Sequence, residues 1–269
     1  LEVFLQDQGE KLLKSGREKR LACDHSVTIR NNEWYDHARQ IGGKAISFVM
    51  QHYNLEYPEA VQMLIGSDAP CVNPVTYPSK PFSLPKANDN MHRLFAYLTK
   101  NREIDNDVLA EFVCLHLVYE EAKYHNAVFV GVDGDGRPRH AHLRSTSNTG
   151  QSFRRNADGS DGQYSFHYTG TSGSLFVFEA PIDMLSYITM HRYNWEQHSY
   201  VACCGLNIAP VLSMLESRNI DTIYLCLDND SAGEEASNRM REVLENKGFE
   251  VSRLKPKNKD WNDDLVQIH

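Results

Sequence analysis

The 269-residue sequence lacks an excess of positive charge, a membrane-length apolar run and any paired-cysteine motif. Lys and Arg number 28 against 36 Asp and Glu, a formal net charge of −8. A protein that coats nucleic acid by general attraction needs the opposite balance. Any polyanion must therefore be held by local basic tracts or through carboxylate-bound metal. No stretch approaches the ~20 apolar residues of a membrane span, so no membrane partner is expected. Leu1 opens the chain without a basic-then-apolar leader, which predicts a trimmed cytoplasmic protein. The six cysteines, at 23, 71, 114, 203, 204 and 226, form no C-x-x-C. Cys203 and Cys204 are adjacent and poorly placed to bridge each other, so the set predicts a reduced compartment. The length suits about one or two domains and is ample for a sizeable core.

Composition divides the chain into a small α+β module at 1–68, a connector at 69–89, a mixed α/β subdomain at 90–172 and a parallel α/β unit at 173–269. In the first, Ser26 to Arg30 alternates as a strand and Glu33 to Tyr35 reads as its neighbour. Gly42-Gly43 then opens a helix over Ala45 to His52, and a second over Tyr57 to Ile65 has Pro58 in its first turn. The connector carries Pro70, Pro74, Pro78, Pro81 and Pro85, a spacing expected of extended, semi-rigid chain. Next come helical patterns over Asn90 to Lys100 and Asp105 to Tyr124. Strands at Ala127 to Asp133 and Arg139 to Arg144 follow, then a loop from Ser145 to Gly162. The last part alternates strands (Leu175 to Phe178, Tyr200 to Cys203, Thr222 to Leu227, Glu250 to Leu254) with helices (Pro181 to Arg192, Ile208 to Arg218, Ala232 to Lys247). That alternation predicts a parallel sheet with right-handed crossovers.

Ligands of open parallel sheets gather outside the carboxyl ends of the strands. Glu179 stands there, directly after Leu175 to Phe178. Asp228 and Asp230 follow the strand ending at Leu227, in Leu-Asp-Asn-Asp-Ser-Ala-Gly233. Clustered carboxylates repel one another, and the physical remedy is a hard divalent cation, Mg²⁺ first. Gly233 allows close backbone approach at a helix start that favours phosphate. The plainer reading is that Asp-Asn-Asp-Ser caps the helix at Ala232.

Together, Phe178-Glu-Ala-Pro-Ile-Asp-Met-Leu-Ser186, Cys204-Gly-Leu-Asn207, Leu227 to Gly233 and Lys259-Asp-Trp-Asn-Asp-Asp-Leu265 resemble the Toprim domain of bacterial primases, topoisomerases and some nucleases. The resemblance implies that Glu179, Asp228 and Asp230 bind Mg²⁺ or Mn²⁺ for phosphoryl transfer or cleavage, with Asp260 assisting. Asp183, Gly205 and Gly233 would support them. Upstream, Ala96-Tyr-Leu-Thr-Lys-Asn-Arg-Glu-Ile104 looks like the start of a primase catalytic core, and His142-Leu-Arg144 fits a strand pair that delivers an arginine. The layout is closest to a primase-like family found with Toprim domains on conjugative and integrative elements. The fold class expected is α/β (α+β overall), ending in a Toprim parallel sheet flanked by helices.

The first module is similar to the zinc-binding module of bacterial primases, with one departure. The places of that module's C-x-x-H and C-x-x-C fall here at Arg17, Arg20, Asp36 and Arg39, and only Asp36 could be a ligand, so no zinc is expected. Cys23, His25 and His37 could in principle make a displaced site. Arg17, Lys19, Arg20, Arg30 and Arg39 with Trp34 and Tyr35 suit a single-strand contact surface. Equally, they suit a solvated charged face with Trp34 in the core. Further basic tracts are Arg137, Arg139, His140, His142 and Arg144, then Arg154 and Arg155, and finally Arg253, Lys255, Lys257 and Lys259. Arg144 is the leading candidate for holding template or nucleotide opposite the metal.

The function these features imply is Mg²⁺-dependent primer synthesis on single-stranded DNA from nucleoside triphosphates, in mobile-element replication or transfer, with a helicase or relaxase as partner. A Toprim nuclease, with Glu179 as general acid or base, and a non-catalytic single-strand-binding accessory protein are the alternatives.

Overall fold

The pattern read at Ser26 to Tyr35 is one hairpin of a larger antiparallel meander. In the computed structural model, helix α1 (Glu2–Asp7) precedes strands β1 (Leu12–Ser15), β2 (Glu18–Leu21), β3 (Val27–Arg30), β4 (Glu33–Asp36) and β5 (Ile41–Lys44), which pair in sequence order. The β3–β4 turn is two residues long, with Arg30 opposite Glu33 and Asn31 at φ 56°. Asparagine tolerates the left-handed conformation that such a turn requires. Helices α2 (Ala45–His52) and α3 (Tyr57–Ile65) complete this part. Trp34 is buried, donates from Nε1 to Ser47 Oγ at 3.1 Å and meets Phe48 edge-on. It belongs to the core, and Tyr35 is the exposed aromatic.

The structure describes residues 1–16, 18–38, 41–53, 55–65, 81–147, 153–217 and 219–268. They fall into two compact units, Leu1–Tyr77 and Pro78–His269. Arg17, Arg39 and the connector through residue 80 lie outside the described residues.

In the second unit, α4 (His92–Phe95) runs into a π-helical turn, Ala96–Asn101, and then α5 (Asn106–Cys114). The helix expected to reach Tyr124 ends ten residues earlier, at Cys114. His116 takes a positive φ of 58°, and Val118–Glu120 forms strand β6 instead. Apolar and β-branched residues here serve a sheet with period two, and tertiary pairing overrides the helical pattern. Strands β7 (Ala127–Val132), β8 (Pro138–Arg144) and β9 (Arg154–Asn156) join β6 in antiparallel order β6-β7-β8-β9. Strand β9 corrects the reading of 145–162 as wholly loop.

The remaining elements are β10 (His167–Tyr168), β11 (Ser174–Phe178), α6 (Pro181–Met190), β12 (Ser199–Ala202), α7 (Ala209–Ser217), β13 (Thr222–Leu225), α8 (Ser231–Glu245), β14 (Glu250–Arg253) and α9 (Trp261–Val266). Their sheet has the order β10-β12-β11-β13-β14. Four strands are parallel as expected, and β10 adds an antiparallel edge against β12. Leu175 and Val177 face one core with Ile223 and Leu225, while Phe176 stacks between Tyr200 and Tyr224 in the other. A sheet covered on both faces needs such continuous apolar strands.

Burial also explains the fate of the histidines on β8. His140 is 1 % exposed, and its Nδ1 has no hydrogen-bond partner among the described residues. Burial, reinforced by neighbouring His142, pushes its pKa down to about 4. The unfolded chain therefore binds the proton more readily. This group's stabilising contribution is whole above its unfolded pKa near 6.5 and is lost as pH falls towards 4. We expect about 3 kcal/mol of acid destabilisation from it. Urea unfolding of wild type and His140→Leu at pH 7 and 4.5 checks this, since the variant should lose distinctly less stability. Equal losses would refute the assignment.

Candidate metal and nucleic-acid site

Strands β11 and β13 are parallel neighbours in register Val177 to Leu225, so their carboxyl ends open side by side. Glu179 leaves the first just before Pro181 starts α6. Asp228 and Asp230 leave the second, and Asp230 Oδ1 caps α8 by accepting from Gly233 N at 2.9 Å. Asp260, beyond β14, caps α9 in the same way, accepting from Asp263 N at 2.7 Å. The capping reading thus holds for Asp230, and it leaves the second carboxylate oxygen of each cap without a role in the helix. Glu179, Asp183, Asp228, Asp230 and Asp260 line one cavity, faced by Arg102, Arg144, Arg154 and Lys259.

The acids strain one another electrostatically. Burial, then Glu179, Asp260 and Asp230, raise the Asp228 pKa to about 7. Burial lifts Glu179 as well, against the pull of Arg154, whose Nη1 lies 4.0 Å from Oε1. Asp183 is buried deepest and held well above the usual carboxylate range by desolvation, then by Asp260 and Asp228. Asp228 Oδ1 is buried with no hydrogen-bond partner among the described residues. An orphaned buried oxygen within an all-oxygen donor set fits a hard divalent cation. No three of these carboxylates bring their oxygens within 4.8 Å of one another.

Backbone geometry sets these positions. Gly205, at φ 142°, follows Cys204 at φ 54°, and its N–H donates to Glu179 O at 3.1 Å. A Cβ on Gly233 would overlap the carbonyl of Asp228. Gly233→Ala must therefore move the Asp228 loop. We expect divalent-ion affinity at this site to fall at least tenfold, read by Mn²⁺ titration, and unchanged affinity would show the close approach to be dispensable.

Arg253, the first member of the last basic tract, is structural. Its guanidinium donates to the carbonyls of Leu225, Leu254 and Asp228 at 2.9, 2.7 and 2.9 Å. Three neighbours went unnoticed in the sequence. Arg102 donates from Nε to Tyr97 Oη at 3.1 Å and from Nη1 to Asn262 Oδ1 at 3.1 Å. Arg144 reaches the same Tyr97 hydroxyl from Nε at 3.4 Å. Asn262 also donates from its backbone to Asp183 and from Nδ2 to Ser186 Oγ. Tyr97 and Arg102 did lie within the quoted Ala96 to Ile104 motif, which was the available signal.

Other expected cations lie away from the cavity. Arg139 pairs with Asp133 and Asp161 and lies over the Tyr164 ring, and Arg137 pairs with Asp135. Arg155 pairs with Asp158, and Lys255 with Glu234. Lys257 is exposed, with its backbone N–H on Asp264. The tract of 137–144 thus contributes Arg144 alone to the cavity. In the first unit, Asp36 is a buried turn anchor, accepting from Ser26 Oγ and Ala38 N.

Comparison with known proteins agrees with this fold. Residues 176–265 match the family described as Toprim-like, and residues 96–172 match a protein family of unknown function, DUF3991. The fold is of primase type. It is similar to that of the primase fragment of the bacteriophage T7 primase-helicase protein (TM-score 0.50, 13 % identity, 91 % of this chain and 90 % of that one). The zinc-binding and RNA polymerase domains of the Aquifex aeolicus primase align at a TM-score of 0.44 and 17 % identity, over 99 % of this chain and 81 % of that one. An uncharacterized Bacillus anthracis protein, pXO2-78, is 25 % identical over 94 % of this chain and 82 % of its own. Among the described residues, no helix is long and apolar enough to cross a membrane.

Proposed function

We propose that the protein is a divalent-metal-dependent primase-like nucleotidyltransferase that acts on single-stranded DNA in the replication or transfer of a mobile element. The observation that carries this reading is the single cavity in which five acids face four cations at the carboxyl ends of β11 and β13. Glu179, Asp228 and Asp230 would hold Mg²⁺ or Mn²⁺, with Asp260 beside them. The ion would neutralise triphosphate oxygens and charge developing in an in-line displacement. Arg144 and Arg102, fixed through Tyr97, would position the polyanion, and Arg154 and Lys259 would meet phosphates at the rim. Asp183, hydrogen-bonded by Asn262, would keep α6 and α9 in register behind the acids. Template DNA and nucleoside triphosphates are the partners this implies, and the likeness to a primase-helicase fragment supports a helicase as a third. The division at 1–68, 69–89, 90–172 and 173–269 is retained as the proposed domain plan.

A raised Glu179 pKa beside Arg154 also suits a proton-transferring acid or base, which favours phosphodiester cleavage as the second reading. The two separate in one experiment. The protein is incubated with single-stranded template, labelled nucleotides and Mg²⁺ or Mn²⁺, beside Glu179→Ala and Asp230→Ala. Templated extension that both substitutions abolish supports the primase. Shortened DNA supports the nuclease, and binding without turnover, indifferent to both, supports an accessory role and overturns the proposal.

A further inference from the structure

The described residues hold one group of three metal-capable side chains whose ligand atoms all lie within 4.8 Å of one another, and it is not in the acidic cavity. It is Glu10, Cys23 and His52, in the first unit. Glu10 lies between α1 and β1, Cys23 in the bend after β2, and His52 is the last residue of α2. We propose that these three side chains form a Zn²⁺ site, with water as the fourth ligand, displaced from the positions at which the sequence comparison sought one.

The three ligand atoms lie within 4.8 Å of one another, and the two oxygens of the Glu10 carboxylate stand between the other two groups at near-coordination spacing. His52 Nε2 is 3.3 Å from Glu10 Oε1, and Cys23 Sγ is 3.7 Å from Glu10 Oε2. Bonds of 2.0–2.3 Å from a tetrahedral Zn²⁺ put neighbouring ligand atoms about 3.3–3.7 Å apart. The donor set of one sulfur, one nitrogen and one oxygen suits a borderline ion and discriminates against Mg²⁺. His52 is already oriented, for its ring stacks on buried Phe48 at 4.8 Å and meets Tyr53 edge-on at 4.9 Å. The neighbouring Tyr53 hydroxyl is buried with no hydrogen-bond partner among the described residues. Without metal, the Cys23 thiol donates to Glu10. Binding would replace that S–H bond with an S–Zn bond and release the proton to solvent. The ion would tie together three segments widely spaced in sequence.

His25 and His37, grouped with Cys23 in the sequence reading, stay outside the cluster. His25 is exposed, and His37 bonds to Thr28 and meets Tyr35 edge-on. The expectation of a zinc-free module rests on Arg17, Arg20, Asp36 and Arg39, and the cluster uses none of these positions.

Titration of the purified full chain with Co²⁺, followed by displacement with Zn²⁺, tests the site. We expect about one equivalent to give visible tetrahedral d–d bands with a near-ultraviolet thiolate-to-cobalt band, both erased by Zn²⁺. Cys23→Ser should remove the charge-transfer band. His52→Gln should keep it while weakening Co²⁺ at least tenfold. Ions in the all-oxygen cavity give no thiolate band, so the two sites are told apart. Far-UV circular dichroism without metal checks that each variant folds. A missing thiolate band, or one that survives Cys23→Ser, overturns the proposal.

Discussion

Asp228→Asn should make the metal-free protein more stable while removing the Mg²⁺-dependent activity proposed for it. The carboxylate is desolvated beside Glu179, Asp260 and Asp230, and its pKa stands at about 7 instead of 3.8. Here the folded state binds the proton more tightly than the unfolded chain does. The penalty is therefore absent below about pH 4 and grows as pH rises towards 7. Solvent reaches the partly exposed group, so the relief at pH 8 is about 1–2 kcal/mol rather than the full shift. Urea midpoints should separate wild type from variant by distinctly more at pH 8 than at pH 5, and not at all below about pH 4. Added Mg²⁺ should stabilise wild type and leave the variant unmoved. Any templated extension should fall by about a thousandfold or more, because a metal site contributes several kcal/mol to the transition state. Identical wild-type and variant midpoints at pH 8 would refute the electrostatic account.

Glu120→Ala should cost about 3–5 kcal/mol of stability. This residue is 1 % exposed on β6. Its Oε2 accepts from the backbone N–H groups of Arg93 and Leu94 at 2.9 and 3.0 Å, satisfying the start of α4. Its Oε1 accepts from Asn88 at 2.9 Å and lies 2.6 Å from His125 Nδ1. Burial alone would raise its pKa, but Leu94, His125, Asn88 and Arg93 outweigh that and leave it lowered. Truncation strands four polar groups that cannot all find water. Helix α4 leads directly into the π-helical turn that bears Tyr97 and is capped by Arg102, so the variant should also weaken the single-stranded DNA binding proposed for this cavity. Thermal unfolding within 1 kcal/mol of wild type would show that the carboxylate is not a hub.

Glu120 also shows where the sequence stopped being legible. The stretch from Asp105 to Tyr124 has enough apolar residues at helical spacing to read as one helix. The break at His116 and the strand after it depend on pairing with Ala127 to Phe129, which local pattern does not contain. Strand β9 was hidden for the same reason, since polar Arg154 to Asn156 earns its place only through β8. The β/α alternation from Leu175 onward was readable because a sheet buried on both faces leaves apolar runs with capped helices between them. That order put Glu179, Asp228 and Asp230 at strand ends, the resemblance to the Toprim domain added Asp183 and Asp260, and all five line one cavity. Arg102 and Asn262 were not, because they meet across 160 positions of sequence through hydrogen bonds. The basic tract at 137–144 failed differently. Composition records charge but not whether an ion partner or a core has already claimed it.

The double employment of Asp230 and Asp260 bears on how such a site would decay. Each closes the first turn of a helix, so each would still be retained for folding if the chemistry were abandoned. Glu179 and Asp228 cap no helix, and at neutral pH Asp228 carries an electrostatic cost that a bound cation would relieve. In a relative that has given up catalysis, substitutions should therefore accumulate first at these two positions, while the aspartates at the helix starts persist as fossils of the site.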